Sequence, residues 1–461
     1  MSQEWRKGSL VAVDAGVHLS AITRLIEASQ PANPTSLPFT LTTGPFAGLS
    51  LPHRKADANA QHVVSMVDTY MITHPHLDHI SGFVVNTAGP PGARPKKLAG
   101  LPGTIHAFKT HIFNNVIWPN LSDENNGAGL VTYLRLVEGG SPALGDGEGR
   151  GYSEVCDGLL VKIWGVSHGH CIEKHSHRGS ASSPSGIFGS QDLTNQPPRR
   201  DLYHHNHASA TPRRQSLLSQ ATLGGSASPH GEQEKVCVYD SSAYFIQDQE
   251  HRREVLIFGD VEPDSLSLSP RNFQIWQEAA PKIATGTLAA IFIECSYDDS
   301  RSNDRLFGHL KPVYVIEELK VLAAEVEIAR QARSLESKKR KRVSDAATTR
   351  RSVPKQTTPT DDPVSPKTFT ILDEPCGDLT QPPLSTSQLA LREIEPLSPP
   401  SVERATKQLE GLKVVIIHVK EKLTDEEDVG TTILRELREH DLEAQLGCEF
   451  VVAHSGQSFY L

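Results

Sequence analysis

Histidines and a carboxylate are concentrated in one short segment, Thr73-His74-Pro75-His76-Leu77-Asp78-His79. Neutral imidazole and carboxylate are the ligands that borderline divalent metals such as zinc prefer. An apolar run before the segment, residues 69–72, predicts a strand, and residues 80–83 are suited to begin a helix. In a loop that leaves a strand, His74 and His76 can point one way while Asp78 and His79 point another. The segment therefore predicts ligands for two metal ions, and a surface turn with four polar residues is the alternative.

The elements that would position this segment alternate along the chain. Short apolar runs with many β-branched residues predict buried strands at residues 9–13, 69–72, 159–164, 236–239, 243–246, 254–258, 289–294 and 413–418. Periodic stretches predict helices at residues 18–28, 313–333 and 426–439. Because strands interleaved with helices favour sheets covered by helices, we predict an α/β sandwich in a single domain over residues 1–461.

Two long segments, residues 173–234 and 337–406, have a different composition. They are rich in small, polar and proline residues and contain few large apolar side chains. Such sequence cannot bury enough apolar surface to offset the entropy lost on ordering, so we predict two disordered insertions within the domain. A linker between two domains is the alternative, but the segment after Lys407 is too small to fold alone. The basic run Lys338–Arg342 fits a nuclear localisation signal or an anion-binding patch, with a solvated charge run as the alternative.

The composition argues against several classes of protein. With 46 Lys and Arg against 55 Asp and Glu, the formal net charge is −9, so no nucleic acid polymer is expected as a partner. The first apolar run is stopped by Asp14, and no apolar run reaches about 18 residues, so we expect no secretory signal, no membrane span and a cytoplasmic location. The six cysteines include no Cys-x-x-Cys pair, which disfavours a disulfide framework.

The pattern His-x-His-x-Asp-His at residues 74–79 resembles the metal motif of the metallo-β-lactamase fold, an αββα sandwich. The resemblance implies three further ligands downstream in a set order, a histidine, an aspartate and a histidine, each just after a strand. His168 meets the first requirement because it follows the apolar run 159–164. His170 lies nearby and competes with it.

The other two implied ligands also end apolar runs. Asp260 follows residues 254–258, and Gly259 before it permits a tight turn, although an ordinary turn aspartate is the alternative. His418 ends the run 413–418, where a core histidine is the alternative. The resemblance then implies two divalent metal ions, with zinc favoured, held by two sets of ligands that Asp260 bridges: His74, His76 and His168 in one set, and Asp78, His79 and His418 in the other.

Longer blocks resemble the class II cyclic-nucleotide phosphodiesterases of fungi and bacteria. These blocks are more specific than the metal motif, and they comprise residues 9–16, 18–22, 73–82, 241–245, 258–265, 291–297, 307–310 and 415–420. Members generally carry a glycine-rich strand before the position of Ser9, where this chain has eight residues. The resemblance implies hydrolysis of a 3′,5′-cyclic nucleotide, cyclic AMP with cyclic GMP as a second candidate, to the 5′-monophosphate, which would lower cyclic-nucleotide signalling.

The resemblance also suggests roles for residues beside the ligands. A hydroxide held between the metals would attack phosphorus in line with the leaving 3′-oxygen, and Asp260 would help to position it. His309 is a candidate to contact the phosphate or to protonate the leaving oxygen, with a surface or capping histidine as the alternative. Asp14, His18 and Glu294 are candidates to support the ligands from behind. A homodimer is a possible assembly.

Two other functions stay open on the sequence alone. Another hydrolase of the fold, an RNA phosphodiesterase or a thioester hydrolase, would use the same metal ligands, but an RNA enzyme should present a basic surface. A non-catalytic scaffold relative is the second alternative. The complete set of candidate ligands argues against it, because ligands are normally lost first when an activity decays.

Overall fold

The computed structural model describes residue 5 and residues 8–87, 94–145, 151–173, 235–349, 407–422 and 427–461. The strands of this part are β1 (Leu10–Val13), β2 (Phe39–Thr40), β3 (Ser50–Leu51), β4 (Val67–Met71), β5 (Lys96–Gly100), β6 (Val131–Arg135), β7 (Ser153–Cys156), β8 (Leu159–Glu173), β9 (Lys235–Asp248), β10 (Glu254–Phe258), β11 (Leu288–Glu294), β12 (Lys413–Ile417) and β13 (Glu449–Val452). The α-helices are α1 (Leu19–Ser29), α2 (Ala56–Met66), α3 (Leu77–Thr87), α4 (Pro102–Ala107), α5 (Asn272–Thr285), α6 (Pro312–Thr349) and α7 (Val429–Ala444).

The strands form two large sheets. The first has four parallel strands in the order β1-β4-β5-β6. The second has seven strands in the order β13-β12-β11-β10-β9-β8-β7, and the four from β10 to β13 are parallel to one another. Because parallel strands end at the same edge of a sheet, the loops after β1 and β4 lie together, and so do the loops after β10, β11 and β12.

Buried side chains show how the sheets and helices are layered. One apolar cluster joins the two sheets to each other and includes Met71, Ala99, Val161 and Tyr244. The other face of the second sheet packs against α5, α6 and α7. Helices α3 and α4 pack against the first sheet, and α1 and α2 share a further cluster beside it. This order of layers is the αββα sandwich, which confirms the predicted fold class.

Some predicted elements differ from those in the structure. The runs 236–239 and 243–246 are parts of one strand, β9, because the polar residues between them do not break it: Ser241 and Ser242 are buried within the sheet. Helix α6 continues to Thr349, so the first part of the segment 337–406 is helical and not disordered. Lysine, arginine and alanine are good helix formers, and extending an existing helix costs far less than starting one.

The chain divides into two compact units, one formed by residues 1–169 and 240–461 and the other by residues 170–239. Residues 174–234 and 350–406, which make up most of the two predicted insertions, lie outside the described residues. Among the described helices, none combines the length and the apolar character needed to cross a bilayer. Cys156 and Cys295 are buried thiols, as expected of reduced cysteines.

Candidate metal centre

The histidine-rich segment occupies the end of β4 and the start of α3. His74 and His76 lie in the connecting loop, and His74 is almost completely buried, with its Nε2 2.9 Å from His76 Nδ1. Helix α3 begins at Leu77, earlier than predicted, so Asp78 and His79 belong to its first turn. A carboxylate in a first turn is stabilised by the positive end of the helix dipole.

Asp14, directly after β1, fixes this loop from behind. Its Oδ1 accepts a hydrogen bond from the Thr73 backbone N at 2.8 Å. Its Oδ2 accepts from Thr73 Oγ1 and pairs with His79 Nδ1, both at 2.8 Å. Asp14 has a φ of 58°, a conformation that asparagine and aspartate tolerate. A Cβ on Gly16 would lie 1.7 Å from the Asp78 carbonyl oxygen, so only glycine allows this close packing.

Asp260, after β10, lies at the middle of the centre and is 2% exposed. Its carboxylate oxygens lie close to nitrogens of five histidines: His79 and His418 at 3.3 Å, His168 at 3.6 Å, His74 at 3.7 Å and His309 at 3.8 Å. A Cβ on the preceding Gly259 would lie 2.4 Å from Thr73 Cβ, so the glycine lets β10 and the β4 loop approach each other.

His168 and His418 complete the ring of histidines from the second sheet. His168 lies inside the long strand β8, not after a strand as predicted, and its Nδ1 hydrogen-bonds the Gly308 carbonyl oxygen at 2.9 Å. That contact leaves Nε2 facing Asp260. His418 follows β12 with a φ of 58°, and its Nδ1 lies 3.0 Å from Ser296 Oγ.

Glu294, at the end of β11, is fully buried and ties several loops together. Its Oε1 accepts from the Val261 backbone N at 3.0 Å and pairs with His309 Nδ1 at 2.8 Å. Its Oε2 accepts from Ser296 Oγ at 2.7 Å. His309 is therefore a buried residue of the centre, and the surface or capping alternative is wrong.

The donor atoms group as metal sites would. In the described residues, four overlapping groups have ligand atoms within 4.8 Å of one another. Two of them correspond to the sets implied by the resemblance: His74, His76, His168 and Asp260 in one, and Asp78, His79 and His418 in the other. His79 Nε2 and Asp260 Oδ1 are buried, and within the described structure neither has a hydrogen-bond partner. Because buried polar atoms are normally satisfied, these two orphaned atoms fit bound cations.

The charges of the centre strongly shift its pKa values. Burial, together with the neighbouring imidazoles, lowers the pKa of His74 to about 2, so this ring is neutral and ready to bind a metal. Burial opposes protonation of His79 as well, but the carboxylates of Asp14 and Asp260 outweigh it and raise the pKa to about 10. Burial would raise the pKa of Asp260, yet the surrounding histidines hold it well below the usual range.

Two further candidates lie away from the ligands. His18 is exposed, and its Nε2 contacts Ser81 Oγ at 3.2 Å and no ligand of the described structure. His170 is exposed and belongs to none of the metal-compatible groups among the described residues. Four supporting residues were not predicted although they lie within or beside the blocks that carry the resemblance: Thr73, Ser241, Ser296 and Lys420.

An αββα sandwich with such a histidine and aspartate cluster at the strand ends defines a hydrolase of the metallo-β-lactamase fold. Within that class, the family model of the class II cAMP phosphodiesterases matches residues 3–139, 204–337 and 387–456. This is more than half of the chain, and the protein belongs to that family.

Individual relatives agree with this assignment. The chain is 27% identical, over 69% of its length, to a 3′,5′-cyclic-nucleotide phosphodiesterase of Schizosaccharomyces pombe, and 29% identical, over 62%, to one of Candida albicans. These matches span 68% and 62% of the two relatives. The crystal structure of unliganded yeast PDE1 aligns with a TM-score of 0.55 at 18% identity and covers 97% of this chain and 89% of that chain. At 18% identity, this structural similarity is evidence for the fold alone.

Proposed function

We propose that this protein hydrolyses 3′,5′-cyclic nucleotides to nucleoside 5′-monophosphates. The observation that carries the proposal is the position of Asp260, whose carboxylate lies among two groups of side chains that could each hold a metal ion, in a chain of the class II family. Cyclic AMP is the first substrate to test, because the family is described by it and because the curated relatives are named for cyclic nucleotides.

The proposal includes two divalent metal ions, with zinc favoured by the imidazole-rich donor sets. His74, His76 and His168 would hold one, Asp78, His79 and His418 the other, and Asp260 would touch both. When bound, such ions supply a hydroxide nucleophile near neutral pH and neutralise charge on the phosphate. The contacts of Asp14, Gly308 and Ser296 with the far nitrogens orient three of these imidazoles before any ligand arrives.

His309 is placed to handle the proton of the reaction. Glu294 holds its Nδ1 at 2.8 Å, which leaves Nε2 as the nitrogen that can act on a substrate. Burial disfavours the charged ring, but Glu294 outweighs burial and raises the pKa of His309, so the ring is available in its protonated form. We infer that His309 donates a proton to the 3′-oxygen as its bond to phosphorus breaks, so that a neutral hydroxyl leaves.

The test is hydrolysis of cyclic AMP and cyclic GMP by the purified full chain, with and without chelator, beside Asp260→Ala. We expect chelator-sensitive formation of the 5′-monophosphate and its loss in the variant. Asp57→Ala is the matched control, because Asp57 is an exposed carboxylate in the first turn of α2. RNA and a thioester are assayed in parallel.

Each outcome has a clear meaning. Turnover of RNA or of the thioester, with none of either cyclic nucleotide, would replace the proposed activity by another hydrolysis of the same fold. Bound metal with no turnover of any substrate would favour the scaffold alternative. The cytoplasmic location and the homodimer remain sequence-based proposals, as does the nuclear signal at Lys338–Arg342, whose backbone lies in α6.

A further inference from the structure

A cavity of about 380 Å³ lies beside the metal centre, between the loop after β11 and the loop after β12. Its lining includes four cationic residues, Arg301, Arg305, Lys420 and Lys422, and one aromatic residue, Tyr297. The acidic residues in the lining are Asp298 and Glu421. In a chain whose formal net charge is −9, this local excess of positive charge favours an anionic ligand.

Two of these residues connect the cavity to the centre. The Nζ of Lys420 lies 3.4 Å from Oδ2 of Asp78, a candidate metal ligand. The ring of Tyr297 lies 5.9 Å from that of His309, measured between centroids. These two contacts make the cavity a direct neighbour of the centre, on the side of Asp78 and His309.

Arg301 offers a flat charged surface in this cavity. Its guanidinium carbon lies 4.6 Å from the centroid of the Tyr297 ring and 5.7 Å from that of Phe307. Its Nε donates a hydrogen bond to the Arg305 carbonyl oxygen at 3.0 Å. A planar guanidinium that already lies over aromatic rings is also suited to stack on the face of a nucleobase.

The walls of the cavity are held in place by several contacts. Lys422 Nζ donates to Asp298 Oδ2 at 2.7 Å, which joins the two loops across the cavity. Lys311 Nζ donates to the Arg301 carbonyl oxygen at 2.8 Å, and the Lys420 backbone N donates to the Ser296 carbonyl oxygen at 3.0 Å. A pre-ordered wall loses little entropy when a ligand binds, which favours a binding site over a surface groove.

Phe307 supports the same assignment through its backbone. It has a φ of 53°, which is rare for a bulky side chain, and its ring is 67% exposed beside Arg301. The next residue, Gly308, is packed against the backbone of His168 and Gly169. Rare backbone conformations of this kind cluster at active sites and at segments that clamp ligands.

We propose that this cavity is the nucleoside subsite, in which Arg301 stacks on the base and Lys420 contacts the phosphate. The inference rests on the proposed cyclic-nucleotide activity and adds to it the residues that distinguish a nucleotide from any other phosphodiester. Its size suits a nucleoside, because ligand cavities of roughly 300–1,000 Å³ hold small molecules of this kind.

The experiment compares two substrates, cyclic AMP and the 3′,5′-cyclic phosphate of 1-deoxyribose, which has the same reacting ring and no base. With Arg301→Ala we expect KM for cyclic AMP to rise about ten-fold to hundred-fold, the effect of losing one stacked base. The base-less substrate should lose at most two-fold in kcat/KM. Arg301→Lys, which keeps the charge but not the plane, should not restore KM.

Lys420→Met should reduce kcat/KM for both substrates by the same factor, because both carry the phosphate. Arg24→Ala, an exposed arginine on α1, is the control for loss of charge. Equal effects of Arg301→Ala on the two substrates, or no effect on either, would overturn the subsite. Failure of the wild-type chain to hydrolyse cyclic AMP would instead refute the proposed activity, and the subsite with it.

Discussion

Replacement of Asp14 by asparagine isolates the contribution of one carboxylate behind the metal ligands. Asparagine has the same shape and tolerates the positive φ at this position, so the backbone is retained. The amide, however, can present only one oxygen. Asp14 accepts hydrogen bonds with both oxygens, from the Thr73 backbone N on one side and from Thr73 Oγ1 and His79 Nδ1 on the other.

Either orientation of the new amide damages the centre. If its NH₂ group faces His79, that histidine must move its proton to Nε2, the nitrogen that faces Asp260, and can no longer bind a metal there. If the NH₂ group faces the Thr73 backbone N–H, two donors oppose each other, and the hydrogen bond that holds the loop after β4 is lost. A hydrogen bond to a charged group is worth about 1.5–3 kcal/mol. We therefore expect metal affinity or kcat to fall about 10- to 100-fold, as for similar supporting carboxylates.

The assay is zinc content after equilibration with chelators of graded strength, together with kcat at saturating zinc. Asp57→Asn is the control, because Asp57 is exposed and caps only the backbone N of Ala58 at 2.7 Å. A folded Asp14→Asn variant with wild-type zinc affinity and wild-type kcat would refute the reasoning that Asp14 sets the proton position of His79.

Three further predictions concern the loop around the centre, a half-buried ion pair and the metals. Gly308 has a φ of +80°, and a Cβ there would lie 2.6 Å from Gly169 N, so Gly308→Ala should lower kcat/KM at least ten-fold. Gly158 has the same φ but open space around it, so Gly158→Ala should cost only about 1 kcal/mol of stability. Equal activity of the two variants would contradict this prediction. Burial raises the pKa of Glu278, but Lys282 and Lys162 together outweigh it and lower the pKa, so the ion pair with Lys282 stabilises the fold above pH 4.5 and less below it. Glu278→Gln should lower the free energy of unfolding by about 1 kcal/mol at pH 7, and the difference in Tm between variant and wild type should narrow at pH 4; a constant difference would count against the pair. Chelator should lower Tm and added zinc should restore it, because zinc at 100 times its Kd raises the free energy of unfolding by about 2.7 kcal/mol per site. A Tm that does not respond would argue against both metal sites.

The candidate ligands could be predicted from the sequence because each lies in a local sequence pattern that indicates a ligand position. Residues 74–79 form a contiguous motif, and Asp260 and His418 directly follow apolar runs. The structure brings all of them into one centre. His168 was also predicted to belong to the centre. It lies within β8 and not after it, because the apolar run that predicted the strand is shorter than β8 itself.

The supporting contacts could not be predicted in the same way, because they join residues that are distant in sequence. Ser296 reaches His418 only because β11 and β12 are parallel neighbours, and Lys420 reaches Asp78 only because the two sheets face each other. Nothing in the composition of the loop 297–305 predicts a cavity. His18 has the residue type and position of a supporting residue, yet it lies on the surface at the N-cap position of α1, and its side chain contacts Ser81 instead of a candidate ligand.

The distribution of the centre between the two sheets makes it a late product of chain synthesis. Asp78 and Lys420, which meet at its rim, are separated by 342 positions, and His418 is translated after almost all other elements. Contacts of such large sequence separation form slowly, because loop closure must precede them. A ribosome-bound chain that has not yet emerged past β12 lacks His418, so the second set of candidate ligands is complete only after β12 has joined β11 in the sheet.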